Sequence, residues 1–360
     1  MQSLPSSYYV HELRRELIGK LSTPAASRLL WLPVHVSIVV AGTVALARGW
    51  LAWPLELATS LLIGFAFAGL MFLGHETMHG AVLRGRWRRA KSLVGFLCFA
   101  PLVLSPRLWS VWHNRSHHSN SNRLDVDPDM YPSLDRYRAS RAVRFATDNF
   151  ALGGRRLRGL LSLVIGFSGQ SIHMLIAART QLGMSKRDHR VAVAEFALAV
   201  ALWISVAITT GAATLLLAFV LPAMVANVVV MSFILTNHAL SPATEVNDPL
   251  LGALSVTTPR WVEWLTLDFG YHVEHHLFPA TSGRHLRHVR AALVEAWPQR
   301  YQTMRLRFAL AQLFRSGRVY RDSSTLVDPR SGGTWPTLAP RGTPSSQSCL
   351  PTTGCAMNDT

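Results

Sequence analysis

The chain has 360 residues, a formal net charge of +16 and a mean hydropathy of +0.21, while only 16% of its residues are charged. This composition argues against a soluble globular enzyme. The basic excess lies between apolar runs and not on an aromatic-rich soluble face, so it indicates membrane topology and no nucleic-acid partner is expected. Three scattered cysteines are too few for a disulfide framework or a cysteine-rich metal site.

Four apolar runs are long enough to cross a bilayer, which takes about 20 residues. They contain no Lys or Arg, and their only acidic residues, Glu56 and Glu195, lie near the start of a run. The first run starts too far from the N-terminus, and lacks the small-residue cleavage site, to be a signal peptide. We therefore expect a multispanning membrane protein. The predicted spans are residues 29–47, 55–73, 191–209 and 213–235.

The charge between the spans predicts their orientation. Residues 84–158 contain 15 Lys and Arg against 5 Asp, which is typical of a cytoplasmic segment. The basic N-terminal segment, residues 1–28, has the same preference. The connections at residues 48–54 and 210–212 are short and nearly uncharged, as expected of outside turns. The spans should therefore form two hairpins, with both termini in the cytoplasm.

Two further apolar stretches are expected to lie in the membrane interface. Residues 93–104 are too few for a span and contain Pro101. Residues 159–178 are long enough, but they contain Gln170 and His173, and a crossing there would place the next basic segment outside. The predicted fold class is thus an all-α membrane protein with four transmembrane helices in two hairpins and a cytoplasmic helical cap.

Three regions follow along the chain. The N-terminal segment of residues 1–28 precedes a membrane domain of residues 29–320. Residues 321–360 are rich in Ser, Thr, Pro and Gly and have no apolar periodicity, so they are predicted to be a disordered C-terminal tail.

Nine of the fifteen histidines lie in three tight clusters and at one single position, each beside an apolar segment. With the predicted topology, all of these positions emerge on the cytoplasmic face, so the nine imidazoles can converge there. Neutral imidazole is the commonest side-chain ligand for iron, zinc and copper. The candidate metal ligands are His75, His79, His113, His117, His118, His238, His272, His275 and His276.

The spacing within the clusters indicates two metal ions. Nine imidazoles exceed the roughly six positions of one ion. His113 and His117 are four residues apart and would share one face of an α-helix, from which His118 points about 100° away. An adjacent pair can therefore serve two neighbouring ions. The other histidines lack such a context and are expected to be structural or surface residues: His11, His35, His173, His189, His285 and His288.

The three clusters read HxxxH, HxxxHH and HxxHH, and together with the two hairpins they resemble the integral-membrane fatty acid desaturase family. Residues 270–279, Gly-Tyr-His-Val-Glu-His-His-Leu-Phe-Pro, are especially similar to the third histidine box of that family. The resemblance covers roughly residues 29–301. It implies a desaturase in which the nine histidines hold two Fe ions. With O2 as co-substrate and two electrons, such an enzyme introduces a C=C bond into the acyl chain of an acyl-lipid or acyl-CoA.

Three details refine the resemblance. Family members can have an Asn one helical turn before the single histidine, but Ile234 stands there in this chain, and Asn237 directly precedes His238. The third box opens with His272, whereas the front-end subgroup has Gln. No His-Pro-Gly-Gly haem motif occurs in this sequence, so we expect a separate electron donor of the ferredoxin or cytochrome b5 type, with its reductase.

Two sets of residues are expected to support the site. Carboxylates should orient the imidazole N–H groups, and the candidates are Glu76, Asp125, Asp127, Asp129, Asp268 and Glu274. An apolar tunnel should take up the acyl chain. The tryptophans that either line it or anchor the chain in the membrane interface are Trp109, Trp112, Trp261 and Trp264.

Other functions stay open at this point. The same metal chemistry would serve a di-iron lipid hydroxylase or ketolase. The first box also satisfies HExxH, the pattern of a zinc metalloprotease in which Glu76 would be the general base. Such an intramembrane protease often has a further Asp ligand on a span, and the predicted spans contain none. A metal or haem transporter would be expected to have its ligands within the spans.

Overall fold

The computed structural model of the protein describes residues 3–21 and 23–338, except for the side chains of residues 14–20. The greater part of the predicted tail, residues 339–360, lies outside the described residues. The described chain is mostly helical, and two small sheets depart from the predicted all-α class.

Fifteen helices are numbered in chain order. They are α1 (Ser6–Leu21), α2 (Trp31–Ala47), α3 (Trp53–Met78), α4 (Arg88–Phe99), α5 (Pro106–Asn120), α6 (Leu134–Ala139), α7 (Arg141–Phe150), α8 (Leu161–Ala177), α9 (Lys186–Thr210), α10 (Ala212–His238), α11 (Pro249–Gly252), α12 (Arg260–Leu265), α13 (His272–Leu277), α14 (Gly283–Ala296) and α15 (Leu306–Arg315). Single 3₁₀ turns lie at Ala26–Leu30, Gly85–Trp87, Ala100–Leu102 and Leu157–Leu160.

Five short strands form the two sheets. They are β1 (Ser255–Thr257), β2 (Thr303–Arg305), β3 (Val319–Asp322), β4 (Thr325–Val327) and β5 (Thr334–Pro336). Strands β1 and β2 pair in parallel, whereas β3, β4 and β5 form an antiparallel sheet in that order.

Five of the helices in the described part of the chain are long and apolar enough to cross a membrane. Four of them, α2, α3, α9 and α10, coincide with the predicted spans. The fifth candidate extends over Leu157–Ala177 and includes α8, which was expected to lie in the interface; that placement stays a prediction. Helices α4 and α5 form a pair bent by 104°, as a re-entrant or interfacial segment would. The protein is thus a helical membrane protein.

Helix α3 is the centre of the bundle. In the apolar 18-residue stretch of α3, 67% of the residues are buried, compared with 11% in the corresponding stretch of the span that contains α2. It packs against α2, α4 and α10, and α10 also packs against α8. A helix that is apolar on all sides is expected in such a buried position.

Helices α3 and α10 run parallel to each other, because each is the second helix of a hairpin. Contacts between them advance together along both helices: Ser60 with Leu217, Gly64 with Val225, and Phe72 with Phe233. Both helices therefore end at the same face of the bundle, α3 directly before His79 and α10 at His238.

Two glycines of α3 allow close packing by aromatic rings. His35 of α2, predicted to be structural, stacks on Trp31 and lies against Gly69, where any Cβ atom would collide with the imidazole. At Gly74 a Cβ atom would collide with the ring of Phe99 from α4. Since Gly74 directly precedes His75, this contact fixes α4 beside the first histidine cluster.

A second apolar core lies beyond the membrane helices. It is built by α1, α11, α13 and α14, and its buried residues include Tyr9, Leu250 and Val273. The hydroxyl of Tyr9 donates to Asp248 Oδ1 at 3.0 Å, and the backbone N–H of Leu4 donates to Asp248 Oδ2 at 2.7 Å. The N-terminal segment is thereby attached to the start of α11, which shares this core with α13.

The prediction of a disordered tail from residue 321 is wrong for residues 321–338, which contribute to the sheet of β3, β4 and β5. Tyr320 is fully buried and donates its hydroxyl to the carbonyl of Ser241 at 2.7 Å. The N–H of Leu338 donates to the carbonyl of Leu240 at 2.8 Å. The sheet thus covers the loop that follows α10. These stabilising contacts are with residues far away in the sequence. The local pattern of apolar residues therefore does not predict the sheet.

A buried ion cluster joins this sheet to α7. The side chain of Arg318 is fully buried and lies 3.4 Å from Asp148 and 3.3 Å from Asp328. Asp148 also accepts a hydrogen bond from the hydroxyl of Tyr137 at 3.2 Å. Removal of one partner from such a cluster leaves buried charges uncompensated.

Arg318→Leu should therefore destabilise the protein by about 3 kcal/mol, since that is the usual cost of breaking a buried ion pair. The measurement is thermal unfolding of the detergent-solubilised protein. Arg321→Leu is the matched control, because Arg321 and its partner Asp322 are about half exposed, at 52% and 46%. Equal midpoint temperatures for the two variants would contradict the role of the cluster.

Candidate metal site

The structure brings all nine candidate histidines together at the common end of α3 and α10. His75 and His79 lie at the end of α3, and His238 is the last residue of α10. The second cluster lies on α5 and the third on α13. Their rings form two neighbouring groups, each of which could hold a metal ion.

The first group contains five histidines. Ring nitrogens of four of them lie within 4.8 Å of one another, and these are His75, His79, His113 and His275. The fifth is His118, whose Nε2 lies 3.2 Å from Nε2 of His113 and 3.1 Å from Nε2 of His275. Trp109 stacks on His113 with 4.5 Å between ring centroids and closes one side of the group.

The second group contains four buried histidines: His117, His238, His272 and His276. The Nε2 atoms of His272 and His238 are 2.6 Å apart, and those of His276 and His272 are 3.1 Å apart. The single histidine, His238, thus lies in the same group as histidines of the second and third boxes. His272 and His276 are four residues apart on α13, as an α-helix requires for a shared face.

Adjacent histidines serve different groups, as the sequence predicted. His117 and His276 face the second group, whereas their neighbours His118 and His275 face the first.

His113 and His117 were expected to share one face of an α-helix; their rings do stack, at 5.1 Å, but they lie on a π-helix and belong to different groups of histidines. Residues Ser110–His117 form a π-helix, and the N–H of His118 donates to the carbonyl of His113 five residues earlier. Because this turn contains more residues than an α-helical turn, His113 aligns with His118, and His117 is directed to the other group.

The donor set fits two metal ions. Nine imidazoles occupy one space, with Nε2 atoms only 2.6–3.2 Å apart. The buried Nε2 of His79 has no hydrogen-bond partner among the described residues. A cation at each group would use these lone pairs, and only imidazole and no thiolate is offered, which suits iron, zinc or copper.

Two carboxylates orient His117. Its Nδ1 lies 2.8 Å from Asp127 Oδ1 and 3.5 Å from Asp129 Oδ2, so Nε2 is left to face the group. Burial raises the pKa of Asp129 to about 6, and the nearby Asp127 adds to this rise, although His117 opposes it. Burial also acts to raise the pKa of Asp127, but its charge interaction and hydrogen bond with His117 lower it below the usual value. Asp127 is therefore the ionised partner of the ring.

Asp129 is held by two side chains from different helices. It accepts hydrogen bonds from Trp112 Nε1 and from Gln170 Nε2, both at 2.8 Å. Gln170 lies on α8, so this helix contacts the site directly. The sequence marked Gln170 only as a polar residue in an apolar stretch, and it gave no signal for its partner.

The other four carboxylate candidates bond to none of the nine histidines and instead join other segments of the chain. Asp125 accepts from the N–H of Ser133 at 3.0 Å. Asp268 pairs with Arg28 at 2.5 Å. Glu274, between two histidines of the third box, accepts from Ser255 at 2.6 Å and Tyr301 at 2.5 Å.

Tyr301 and Arg290 complete the support of Glu274, and no sequence motif predicts the role of either. Burial and then the charge of Glu274 raise the pKa of Tyr301 well above its ordinary value, so its hydroxyl stays a donor. Arg290 Nε lies 3.1 Å from Glu274 Oε1. The carboxylate is thereby compensated without using an imidazole N–H.

Glu76 does not have the position of a protease general base. Its Oε1 accepts hydrogen bonds from the hydroxyl of Ser282 and the N–H of Gly283, both at 2.6 Å. These contacts tie α3 to the start of α14. Because its carboxylate is engaged there, Glu76 does not face the histidines. The HExxH pattern therefore does not support a zinc metalloprotease.

A narrow pocket with mainly apolar walls ends at the histidines. Its lining includes Phe72, Trp112, Phe167, Ile234 and Phe269, together with histidines of both groups. Of the four tryptophans considered, Trp109 and Trp112 are buried in its wall. Trp261 and Trp264 are 67% and 60% exposed, which suits the alternative of interfacial anchors.

The position one helical turn before the single histidine His238 is apolar. Ile234 lines the pocket one turn before His238, while the side chain of Asn237 is buried and has no hydrogen-bond partner among the described residues. At Ile234 the chain therefore lacks the Asn that family members can have one turn before the single histidine.

The fold and the site together are those of a membrane protein with two all-histidine groups, each of which could hold a metal ion. The sequence profile of the fatty acid desaturase family matches residues 48–308, and the chain belongs to this family. Its members are oxidoreductases, so the chain is an enzyme of that class.

Individual relatives are similar at low identity. The sn-1 oleoyl-lipid 12-desaturase of Synechocystis is 27% identical over 277 residues, which is 74% of this chain and 76% of the relative. The protein of that name from Anabaena variabilis is 26% identical, over 75% of this chain and 77% of its own. The sn-1 acyl-lipid omega-3 desaturase (ferredoxin) of Synechocystis is 26% identical over 35% of this chain and 34% of its own.

Asp127→Asn should weaken metal binding at the second group by about 10- to 100-fold, because His117 loses the carboxylate that fixes its ring. Metal content per chain, measured after equilibration with a chelator of graded concentration, reports the change. Asp125→Asn is the control, since Asp125 bonds to the backbone of Ser133 and Asn tolerates its positive φ of 59°. The same metal loss in both variants would contradict the role of Asp127.

Proposed function

We propose that the protein is a membrane acyl-lipid desaturase in which the nine histidines hold two iron ions. The observation that carries this proposal is the position of the two imidazole groups at the end of a narrow, mainly apolar pocket. A site for a methylene chain beside two redox metals suits the oxidation of unactivated C–H bonds.

The relatives favour an acyl-lipid over an acyl-CoA as the substrate. Both 12-desaturases described above are named for oleoyl-lipids, and each aligns with about three quarters of this chain. A saturated C–C unit, O2, two electrons and two protons would yield a C=C bond and two water molecules. When bound, the iron ions would activate O2 for the removal of the two hydrogen atoms.

The residues of the chain would bind and position the reactants. Phe72, Trp112 and Phe269 would hold the acyl chain in contact with the histidines and exclude water from it. Asp127 would keep the ring of His117 in one orientation. Trp109, stacked on His113, would prevent the first group from rearranging.

The two electrons would come from a separate protein. One relative is named as a ferredoxin-dependent acyl-lipid desaturase, so we favour a ferredoxin-type donor over one of the cytochrome b5 type. The basic segment of residues 84–158 would place the histidine face and both termini in the cytoplasm, where such donors occur.

Expression in a host of known lipid composition tests the proposal. We expect new double bonds in the acyl chains of membrane lipids, and His275→Ala should abolish them, because His275 belongs to the first group. Gas chromatography with mass spectrometry of the fatty acids measures the change. His173→Ala is the control, since His173 is an exposed residue of α8.

The products decide between the candidate reactions. Hydroxylated or oxidised lipids instead of unsaturated ones would favour the hydroxylase or ketolase. Purified protein with two irons per chain would support the metal assignment. An unchanged lipid profile together with zinc in the purified protein would contradict both the metal and the reaction.

A second prediction addresses the pocket separately from the metals. Ile234→Trp should fill the space where the acyl chain is expected and lower desaturation at least about tenfold, because a filled pocket excludes the substrate, while the iron content is retained. Val228→Trp is the matched control on the same helix, since Val228 is 39% exposed on the outer side. An equal loss of activity in both variants would indicate damage to α10 and not a blocked pocket.

A further inference from the structure

A basic groove adjoins the end of α3 at Met78, the residue directly before His79 of the first histidine group. Its walls are formed by α4, α5 and the start of α9, and they carry Arg88, Arg89, Lys91, Arg107 and Arg187. Four of these side chains are exposed, and Lys91 is partly buried. The groove is open at the surface and therefore accessible to a macromolecule.

The positive charge of this basic groove is largely uncompensated. Its two carboxylates are already engaged: Glu195 accepts from Ser105 at 2.6 Å and from the N–H of Arg107 at 3.0 Å. Asp188 lies 3.7 Å from Arg107. Within the described part of the chain, Arg88, Arg89, Lys91 and Arg187 have no carboxylate within ion-pair distance.

The floor of the basic groove is continuous with the histidine site. Met78 and Ser110 line it. Met78 directly precedes His79, and its carbonyl accepts a hydrogen bond at 3.2 Å from the side chain of Asn114, the residue after His113. The groove therefore adjoins the backbone that carries His79 and His113 of the first group.

The basic groove and the apolar pocket have no lining residue in common. A partner in the groove and an acyl chain in the pocket can thus be bound at the same time. This is the arrangement that a reaction needs if electrons must arrive while the substrate is held.

We propose that the basic groove is the docking site of an acidic, ferredoxin-type electron donor, an inference that rests on the function proposed above. The donor would bind through surface carboxylates to Arg88, Arg89 and Arg187 and deliver one electron at each docking. Two successive dockings would supply the two electrons of one turnover, and the donor would be oxidised each time. The uncompensated charge of Arg88, Arg89 and Arg187 is complementary to the surface carboxylates of such a donor.

A binding titration tests the docking site without requiring turnover. The full chain in nanodiscs is titrated with an oxidised, acidic [2Fe–2S] ferredoxin at low and moderate salt. In the double variant Arg88→Glu and Arg187→Glu, the affinity should fall about tenfold or more, and the salt dependence should be reduced, because the steering charges are reversed. The control is Arg305→Glu with Arg307→Glu, which changes the charge equally at exposed positions away from the groove.

A second measurement separates docking from catalysis. Double-bond formation is driven either by the reduced ferredoxin or by a small-molecule reductant, and the ratio of the two rates should fall about tenfold in the groove variant, in line with its affinity. Replacing the acidic patch of the ferredoxin by lysines should restore the ratio. If the wild type formed no double bonds with either reductant, the proposed function would fail, while the titration would still test the groove.

Three outcomes would overturn the docking site. The first is an unchanged ferredoxin affinity in the groove variant. The second is an equal loss in the control variant, which would indicate a general effect of charge. The third is a groove variant that binds ferredoxin as the wild type does but whose activity no longer depends on anionic lipid in the nanodisc. That result would indicate that the groove binds lipid headgroups.

Discussion

Nine imidazole rings share one buried space at the ends of two parallel helices, and the other elements are arranged so that the rings stay there. Parallel packing of α3 and α10 brings His75, His79 and His238 to one face. The π-helical turn of α5 and the short helix α13 then complete two groups. Rings this close would be unstable as cations, because like charges in a buried site repel one another strongly. A pair of bound metals would resolve this conflict, since neutral imidazole is the form that coordinates a cation.

The carboxylates around the site have divided roles. Asp127 and Asp129 act directly on His117, and through Gln170 they connect the site to α8. Glu76 and Glu274 lie within the boxes in sequence, but in space they fasten α3 to α14 and α13 to β1. Acidic residues next to ligands are thus used partly to orient a ring and partly to fix the helix that carries it. Of these carboxylates, only Asp127 and Asp129 lie against a candidate ligand, where they would offset part of the positive charge of bound metals.

Much of the site could be predicted from the sequence, because it depends on local rules. Hydropathy identifies the long helices, and helical periodicity places His75 with His79 and His272 with His276. The second box departed from this rule, since nothing in its sequence distinguishes a π-turn from an α-turn. The sheet after residue 318 was missed for a different reason. Tyr320 and Arg318 are held by partners about 80 and 170 residues away in the chain, and such contacts leave no periodic pattern.

The sheet of β3, β4 and β5 also sets an order for biosynthesis. It covers the loop that directly follows His238, through the contacts of Tyr320 with Ser241 and of Leu338 with Leu240. During translation, the long helices enter the membrane well before these strands leave the ribosome. The loop after His238 can therefore be covered only after residues 320–338 have been synthesised, so the last part of the membrane domain to be packed is the one made last.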